Sequence, residues 1–236
     1  LKKSVLELGG SDPYLVLEDA DLEGAVESCV QSRMINSGQS CIAAKRFIVA
    51  GNAQRYEAFV EGVTEGMRVY AMTDPMDPDS RLGPLARPDL REKLRDQVEA
   101  SLAGGASLPL GGTVPDGPGN WYPATVLSDV KPGMPAFDEE LFGPVAAVTH
   151  AADETSAVEL ANRSAYGLGG AIFTSDVTRA NQLARQLKVG SVAINDFVKS
   201  DPRQPFGGIR ESGYGRELGC EGIYEFTNRK TVVYPR

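Results

Sequence analysis

Two residues able to do covalent chemistry without a metal stand near the start of the 236-residue chain. One is a cysteine closing the polar loop Asn36-Ser37-Gly38-Gln39-Ser40-Cys41; the other is Glu7, a carboxylate just ahead of Gly9 and Gly10. Cysteine attacks as its thiolate, and its ordinary pKa of about 8.5 falls where helix amides or cations face it. The residues after Cys41, Ile42-Ala43-Ala44-Lys45-Arg46, fit one helical turn whose N–H groups would point at the sulfur, with two cations close in sequence. A glutamate that ends an apolar strand is partly desolvated, which lifts its pKa towards the range of a general base. Taken one at a time, these residues read more simply as a buried inert thiol and a solvated strand-end acid, and nothing local pairs them. Cys29, on an apolar helical stripe, and Cys220 keep the reading of inert buried thiols.

The chain has a single histidine, His150, so Ser-His-Asp and Cys-His catalysis and most zinc sites are not expected. It follows the apolar run Val145–Thr149 and reads as a strand-end surface residue. Three widely spaced cysteines fit neither a disulfide framework nor a C-x-x-C metal site; reduced thiols and no metal are expected. The composition, 42% hydrophobic and 24% charged, is that of a globular chain. A formal charge of -8 and a pI near 4.8, with basic residues scattered among acidic ones, argue against nucleic-acid and anionic-membrane partners. With no long apolar run and no leader pattern, the expected location is the cytoplasm.

The elements that must position these groups read as follows. Residues 1–10 form a short strand running into the Gly9-Gly10 turn. A helix follows from Asp21, with Asp19 or Asp21 as its N-cap and Leu22, Ala25, Val26, Cys29, Val30 and Met34 on one face. A strand is expected over 46–51, helices over 53–70 and 88–103, and a Pro/Asp/Gly-rich loop over 73–86. Strands over 106–112 and 121–130 are followed by a regular alternation of helix 153–164, strand 169–174, helix 176–188 and strand 190–195. Such alternation predicts an α/β fold with a mainly parallel sheet flanked by helices. A Gly-rich loop, 205–219, precedes a β-prone end, 223–236, which would seek a sheet edge in the same chain or in a partner subunit. Gly213-Tyr214-Gly215-Arg216-Glu217-Leu218 lacks the last glycine of a dinucleotide fingerprint and does not open a βαβ unit.

Four blocks change the weighing of Cys41 and Glu7. In order along the chain, "ELGG" (7–10), "NSGQSC" (36–41), "EELFGPV" (139–145) and "PFGGIRESGYGRELG" (205–219) resemble the signature blocks of the NAD(P)-dependent aldehyde dehydrogenase superfamily. Within it, "GQSCIAAKRFIV" and "SDPRQPFGG" are similar to the bacterial NAD(P)-dependent succinate-semialdehyde dehydrogenases. The resemblance implies that Cys41 attacks the aldehyde carbon, that a thioester results, and that Glu7 activates the water that hydrolyses it. The Cys41 N–H would form half of an oxyanion hole, with Asn36 and Gln39 shaping the loop and Gly38 allowing its close turn. Glu140 would hold the nicotinamide ribose of NAD or NADP, Phe142 would pack near the nicotinamide, and Leu8 and Gly9 would border the cofactor. Phe206 would line the pocket of a small aldehyde substrate. Ser200 and Arg203, with Lys199 as a weaker candidate, would hold a distal carboxylate.

The resemblance also implies a division of the chain. Residues 1–9 would be the last strand of an otherwise absent cofactor-binding domain, 10–222 the catalytic domain, and 223–236 an oligomerisation strand of a homo-oligomer, dimer or tetramer. The isolated chain is accordingly expected to turn over aldehyde negligibly. Two other classes stay open at this level: a cysteine-dependent esterase or thioesterase working without nicotinamide, and a non-catalytic assembly module relying on the terminal strand.

Overall fold

A computed structural model describes residues 1–236. Along the chain run β1 (Leu6–Glu7), β2 (Pro13–Val16), α1 (Leu22–Met34), β3 (Arg46–Ala50), α2 (Ala53–Arg68) and α3 (Pro88–Ala103). The next are β4 (Ser107–Leu110), β5 (Thr125–Ser128), α4 (Pro135–Asp138), β6 (Val145–Ala151) and α5 (Glu154–Asn162). The last are β7 (Gly169–Phe173), α6 (Val177–Ala184), β8 (Ser191–Ile194), β9 (Gly213–Tyr214) and α7 (Gly219–Glu225).

Alternate side chains of the central strands feed separate cores. Phe47 and Val49 of β3, with Tyr14 and Val16 of β2, pack on Cys29 and Val30 of α1 and Phe59 and Val63 of α2. Ile48 and Ala50, with Leu15 and Leu17, pack instead on Ala157 of α5 and Leu183 of α6. A third core sets Leu94 and Val98 of α3 against Phe137 of α4 and Val145 of β6. This is the side-chain period of two in a sheet covered on both faces. Seven strands make that sheet in the order β4-β5-β6-β3-β2-β7-β8. All its ladders are parallel except the edge pair β4–β5. Outside it, β1 and β9 form an antiparallel ribbon with Leu6 opposite Tyr214 and Glu7 opposite Gly213.

The mainly parallel α/β fold expected from the alternation is therefore the one found, with its parallel strands buried between helices. Three details differ. Strand β2, at the middle of the sheet between β3 and β7, was not anticipated, although Tyr14-Leu15-Val16-Leu17 is an unbroken apolar run between acidic residues, as a doubly covered strand requires. Asp19 caps no helix: it accepts hydrogen bonds from Thr174 and Ser175 and pairs with Arg179, tying the end of β2 to the end of β7. Asp21 occupies the N-cap position of α1 without a side-chain bond.

The third difference concerns the ends. Within 1–10 only Leu6 and Glu7 are strand, and residues 219–225, partly assigned to a terminal strand, form α7. Residues 228–236 make no ladder, because a β-prone segment becomes a strand only against an edge and none in this chain reaches it. No helix is long and apolar enough to cross a membrane.

Candidate active site

Four connections meet at the amino ends of the parallel strands: residues 9–12 enter β2, 41–45 enter β3, 139–144 enter β6 and 167–168 enter β7. Three of the four blocks singled out in the sequence are thereby brought to one place. Gly10 lies between them, since its N–H donates to Glu140 Oε1 at 3.0 Å and a Cβ built on it would be 3.2 Å from the Cys41 carbonyl.

The thiol loop starts where α1 ends. Asn36 (φ 49), Ser37 (φ 56) and Gly38 (φ 74) adopt left-handed backbone one after another. For the two non-glycine residues this costs roughly 1–2 kcal/mol each. Amide groups of Asn36 and Gln39 bond each other's carbonyls at 3.1 and 3.3 Å, and Gln39 Oε1 accepts from Ala86 N–H at 2.8 Å. Arg33, fully buried in the last turn of α1, donates to Gly38 O at 2.7 Å and to Leu141 O at 3.4 Å. At Gly38 the loop comes so near the segment before β6 that an added Cβ would be 2.1 Å from Gly143 O.

No helical turn follows Cys41. Residues 41–43 form a bend closed by Ala43 N–H on Ser40 O, and the loop leaves the carboxyl end of α1. The expected helix-amide activation therefore reduces to a weak effect of the Ile42 N–H, the smallest of those acting on the thiol. Lys45 also favours the thiolate. Burial outweighs both, with Asp12 and Glu7 adding repulsion, so the half-buried Cys41 thiol is pushed above its ordinary value and is neutral at pH 7. Its backbone N–H donates to no other protein group and is available to an oxyanion. Cys29 is buried as expected; Cys220 is exposed, because α7 buries none of its residues.

The neighbouring cations point in opposite directions. Lys45, fully buried, donates to Ser40 O at 2.9 Å and Cys41 O at 2.7 Å and sits 3.4 Å from Glu140 Oε1. Arg46 turns away, to the carbonyls of Ser11, Leu160 and Ala161 over the Phe137 ring. Burial, then Arg33, lowers the Lys45 pKa to about 8, so it remains cationic at neutral pH.

Glu7 is raised above the ordinary glutamate value, first by burial and then by Glu217, with Arg216 opposing. Both its oxygens are shielded from solvent and accept no hydrogen bond from the protein. The fourth block comes to Glu7 here: a Cβ on Gly207 would be 3.1 Å from Glu7 Oε1. Phe206 is buried beside it, its backbone paired both ways with Glu217 at 2.7 Å. Glu217 and Arg216 were not singled out in the sequence, and their membership of the fourth block was the only signal.

Glu140 Oε2 accepts no hydrogen bond from the protein, and at Gly9 (φ +100) a Cβ would be 2.6 Å from that oxygen. Only glycine leaves that space open. Phe142 is half-buried, and Leu8 is exposed with its N–H on Ser212 O. Ser200 and Arg203 are exposed. Arg203 donates to both oxygens of Asp201, and no hydrogen bond or ion pair joins this loop to Cys41, Glu7 or Glu140.

Asp12 is a further buried charge that the sequence reading passed over. It accepts from Gly169 N–H at 2.9 Å, and burial raises its pKa from 3.8 to about 6 against the pull of Lys45 and Arg46. Between these two values the folded chain holds a proton at Asp12 that the unfolded chain has lost. Its contribution is thus full below about pH 4 and is lost as pH rises to 6, on the order of 3 kcal/mol. Unfolding free energies of the chain and of Asp12→Asn should diverge with that sign between pH 4 and 6; parallel curves would refute the assignment.

This fold and this meeting of blocks define a class. Residues 1–232 match the aldehyde dehydrogenase family, and the chain belongs to it. It is 53% identical over 232 residues to the NAD(P)+ succinate semialdehyde dehydrogenase Sad of Escherichia coli (strain K12), covering 98% of this chain and 50% of that protein. It is 48% identical to a probable NADP+ succinate-semialdehyde dehydrogenase of Synechocystis sp., with 98% and 51% covered. Among solved structures, the succinic semialdehyde dehydrogenase of Streptococcus pyogenes, in complex with NADP+, superposes with TM-score 0.94 at 38% identity, over 100% of this chain and 51% of that one. A Mycobacterium tuberculosis aldehyde dehydrogenase complexed with NAD+ gives 0.91 at 36% identity, over 98% and 48%. The chain spans about half the length of the relatives it matches.

Proposed function

We propose that this chain carries the thiol, the base and the ribose-facing carboxylate of an enzyme that oxidises succinate semialdehyde to its acid with NAD+ or NADP+. The observation that carries the reading is the gathering of Cys41, Glu7 and Glu140 around the Gly9-Gly10 turn. Glu140 fits a vicinal diol: Oε2 is free to accept, and Gly9 leaves the approach clear. The chemistry supplied by a bound NAD+ or NADP+ is acceptance of one hydride.

Cys41 gives up its proton and its sulfur bonds to the aldehyde carbon, while its backbone N–H receives the oxygen that becomes negative. The thiol proton leaves to solvent, so Glu7, with both oxygens unpartnered and its pKa raised, remains free to accept a proton in the later step. Loss of hydride leaves a thioester on Cys41. Glu7 then takes a proton from water as the water oxygen bonds to the acyl carbon, the C–S bond breaks, and the sulfur regains a proton. Phe206, buried beside Glu7, lines the pocket of the aldehyde.

Residues outside these 236 would complete the cofactor site and the oxyanion hole, so the chain alone is expected to give no reduced nicotinamide. The chain should instead restore activity when it replaces the corresponding half of the Escherichia coli relative. A folded chimera without dehydrogenase activity would sink the reading. The exposed Val232, Val233 and Tyr234 support adding the terminal segment to an edge in a partner subunit, as in a homo-oligomer.

The substrate's distal carboxylate is assigned to Ser200 and Arg203, which stand in solvent and can exchange Asp201 for a ligand. In the chimera, Arg203→Ala should raise KM for succinate semialdehyde about tenfold, the loss of one charge-assisted hydrogen bond, and leave that for an uncharged aldehyde of similar length nearly unchanged. An equal effect on both would remove Arg203 from the carboxylate site.

A further inference from the structure

The thiol loop sits at the carboxyl end of α1, where the helix presents carbonyls and partial negative charge. That is a poor place for a nucleophile that must become an anion. Two buried cations compensate, and both reach across to the segment that carries Glu140. Arg33 joins Gly38 O to Leu141 O; Lys45 joins Ser40 O and Cys41 O to Glu140 Oε1. An ammonium has three N–H donors and no acceptor; two of them go to the Ser40 and Cys41 carbonyls, and Glu140 Oε1 stands beside it as an ion-pair partner at 3.4 Å. Because Lys45 is fully buried, no bulk water replaces any of these partners.

We propose that Lys45, with Arg33 beside it, is a positioning residue that locks the thiol loop to the Glu140 segment and transmits to Cys41 the charge and engagement of Glu140. The consequence deepens the dehydrogenase reading and rests on it for its meaning. While Glu140 Oε1 shares the ammonium, less of that positive charge serves the sulfur. A diol that draws Glu140 towards itself releases charge to the thiol, so the nucleophile sharpens when the ribose side fills. Arg33 holds the loop's left-handed stretch in place meanwhile, which makes Lys45 the variable contact and Arg33 the fixed one.

The test needs neither cofactor nor aldehyde, so it can fail while the dehydrogenase reading stands, and the reverse. With Cys220→Ser as background, Cys41 is alkylated by iodoacetamide across a pH series in the chain itself. The groups facing the thiol are Lys45, Asp12 and Glu7; those facing Lys45 are Arg33, Asp12, Glu140 and Cys41. Glu140→Gln should move the alkylation midpoint down and speed labelling at pH 8 several-fold, and Lys45→Met should move it up by about one unit, a tenfold slower labelling at that pH. In the Lys45→Met background, Glu140→Gln should then have no effect.

An equal effect of Glu140→Gln in both backgrounds would overturn the transmission through Lys45, and an unchanged midpoint in Lys45→Met would overturn its role altogether. Should Lys45→Met fail to fold, Glu140→Gln alone decides: a lowered midpoint supports the proposal and an unchanged one overturns it.

Discussion

A Glu7→Gln chimera is expected to release one equivalent of reduced nicotinamide per thiol and then to slow by about 10²- to 10⁴-fold, the usual worth of a positioned general base. Cys41→Ser should release none. The two outcomes differ because the residues serve different steps. Sulfur attack needs the thiol and somewhere to place its proton, whereas hydrolysis needs a base with an open approach to the acyl carbon. Glu7 has the character of such a base: both oxygens lack a protein partner, and its pKa is raised by burial and by Glu217. Glutamine keeps the shape and donates where the carboxylate would accept, so the acyl-enzyme should accumulate. The acid limb of the steady-state profile should lie above the ordinary glutamate value, in the direction of the Glu7 shift. Full steady-state turnover in Glu7→Gln would remove Glu7 from the mechanism, whereas a variant lacking even the first equivalent would make it indispensable to thiol deprotonation.

Gly38→Ala is expected to be the most damaging change of similar size in the thiol loop. The residue stands at φ +74, and its added methyl would lie 2.1 Å from Gly143 O and 2.9 Å from the Arg33 guanidinium. Left-handed alanine and a forced separation of two backbone segments together cost roughly 2–4 kcal/mol. The loop cannot yield cheaply, because Gln39 is tied to Ala86 and Arg33 to Gly38 O. Chemical denaturation should show the loss as a lower midpoint with an unchanged slope. A midpoint equal to the parent's would mean that the loop and the Gly143 segment are not held as described.

The parts of this molecule that were legible in sequence were those whose signal is local. The helix expected over 53–70 is found as α2, where Tyr56, Phe59, Val63 and Met67 are buried at helical spacing and Asn52 accepts from Arg55 N–H at its start. β3, β7 and β8 were visible as short β-prone runs between helical stretches. What failed was whatever depended on a partner distant in sequence. Asp19 was read as a cap because caps are local, yet its partners are Thr174, Ser175 and Arg179. Lys45 was noted beside Cys41, but only the bend at 41–43 turns its ammonium back under the loop. Asp12 carried no warning at all, since a carboxylate before a strand is ordinarily solvated. Cys41 itself became readable only through four ordered blocks, because a thiol's neighbours, not its spacing, set its chemistry.

The β1–β9 ribbon gives the two chemical groups unequal anchorage. Cys41 hangs from β3, which is clasped on both sides by β2 and β6, and its release would need disruption of the sheet itself. Glu7 rides on a strand of two residues whose single partner is another of two. Local opening samples such short, peripheral ladders long before the centre of a sheet. Amide hydrogens of Leu6 and Leu8 should therefore exchange far sooner than those of Phe47 and Ile48. With the proposed roles of Cys41 and Glu7, each opening would leave a molecule that can be acylated and cannot be deacylated, so the lifetime of a trapped acyl group would report the breathing of one small ribbon rather than the stability of the whole.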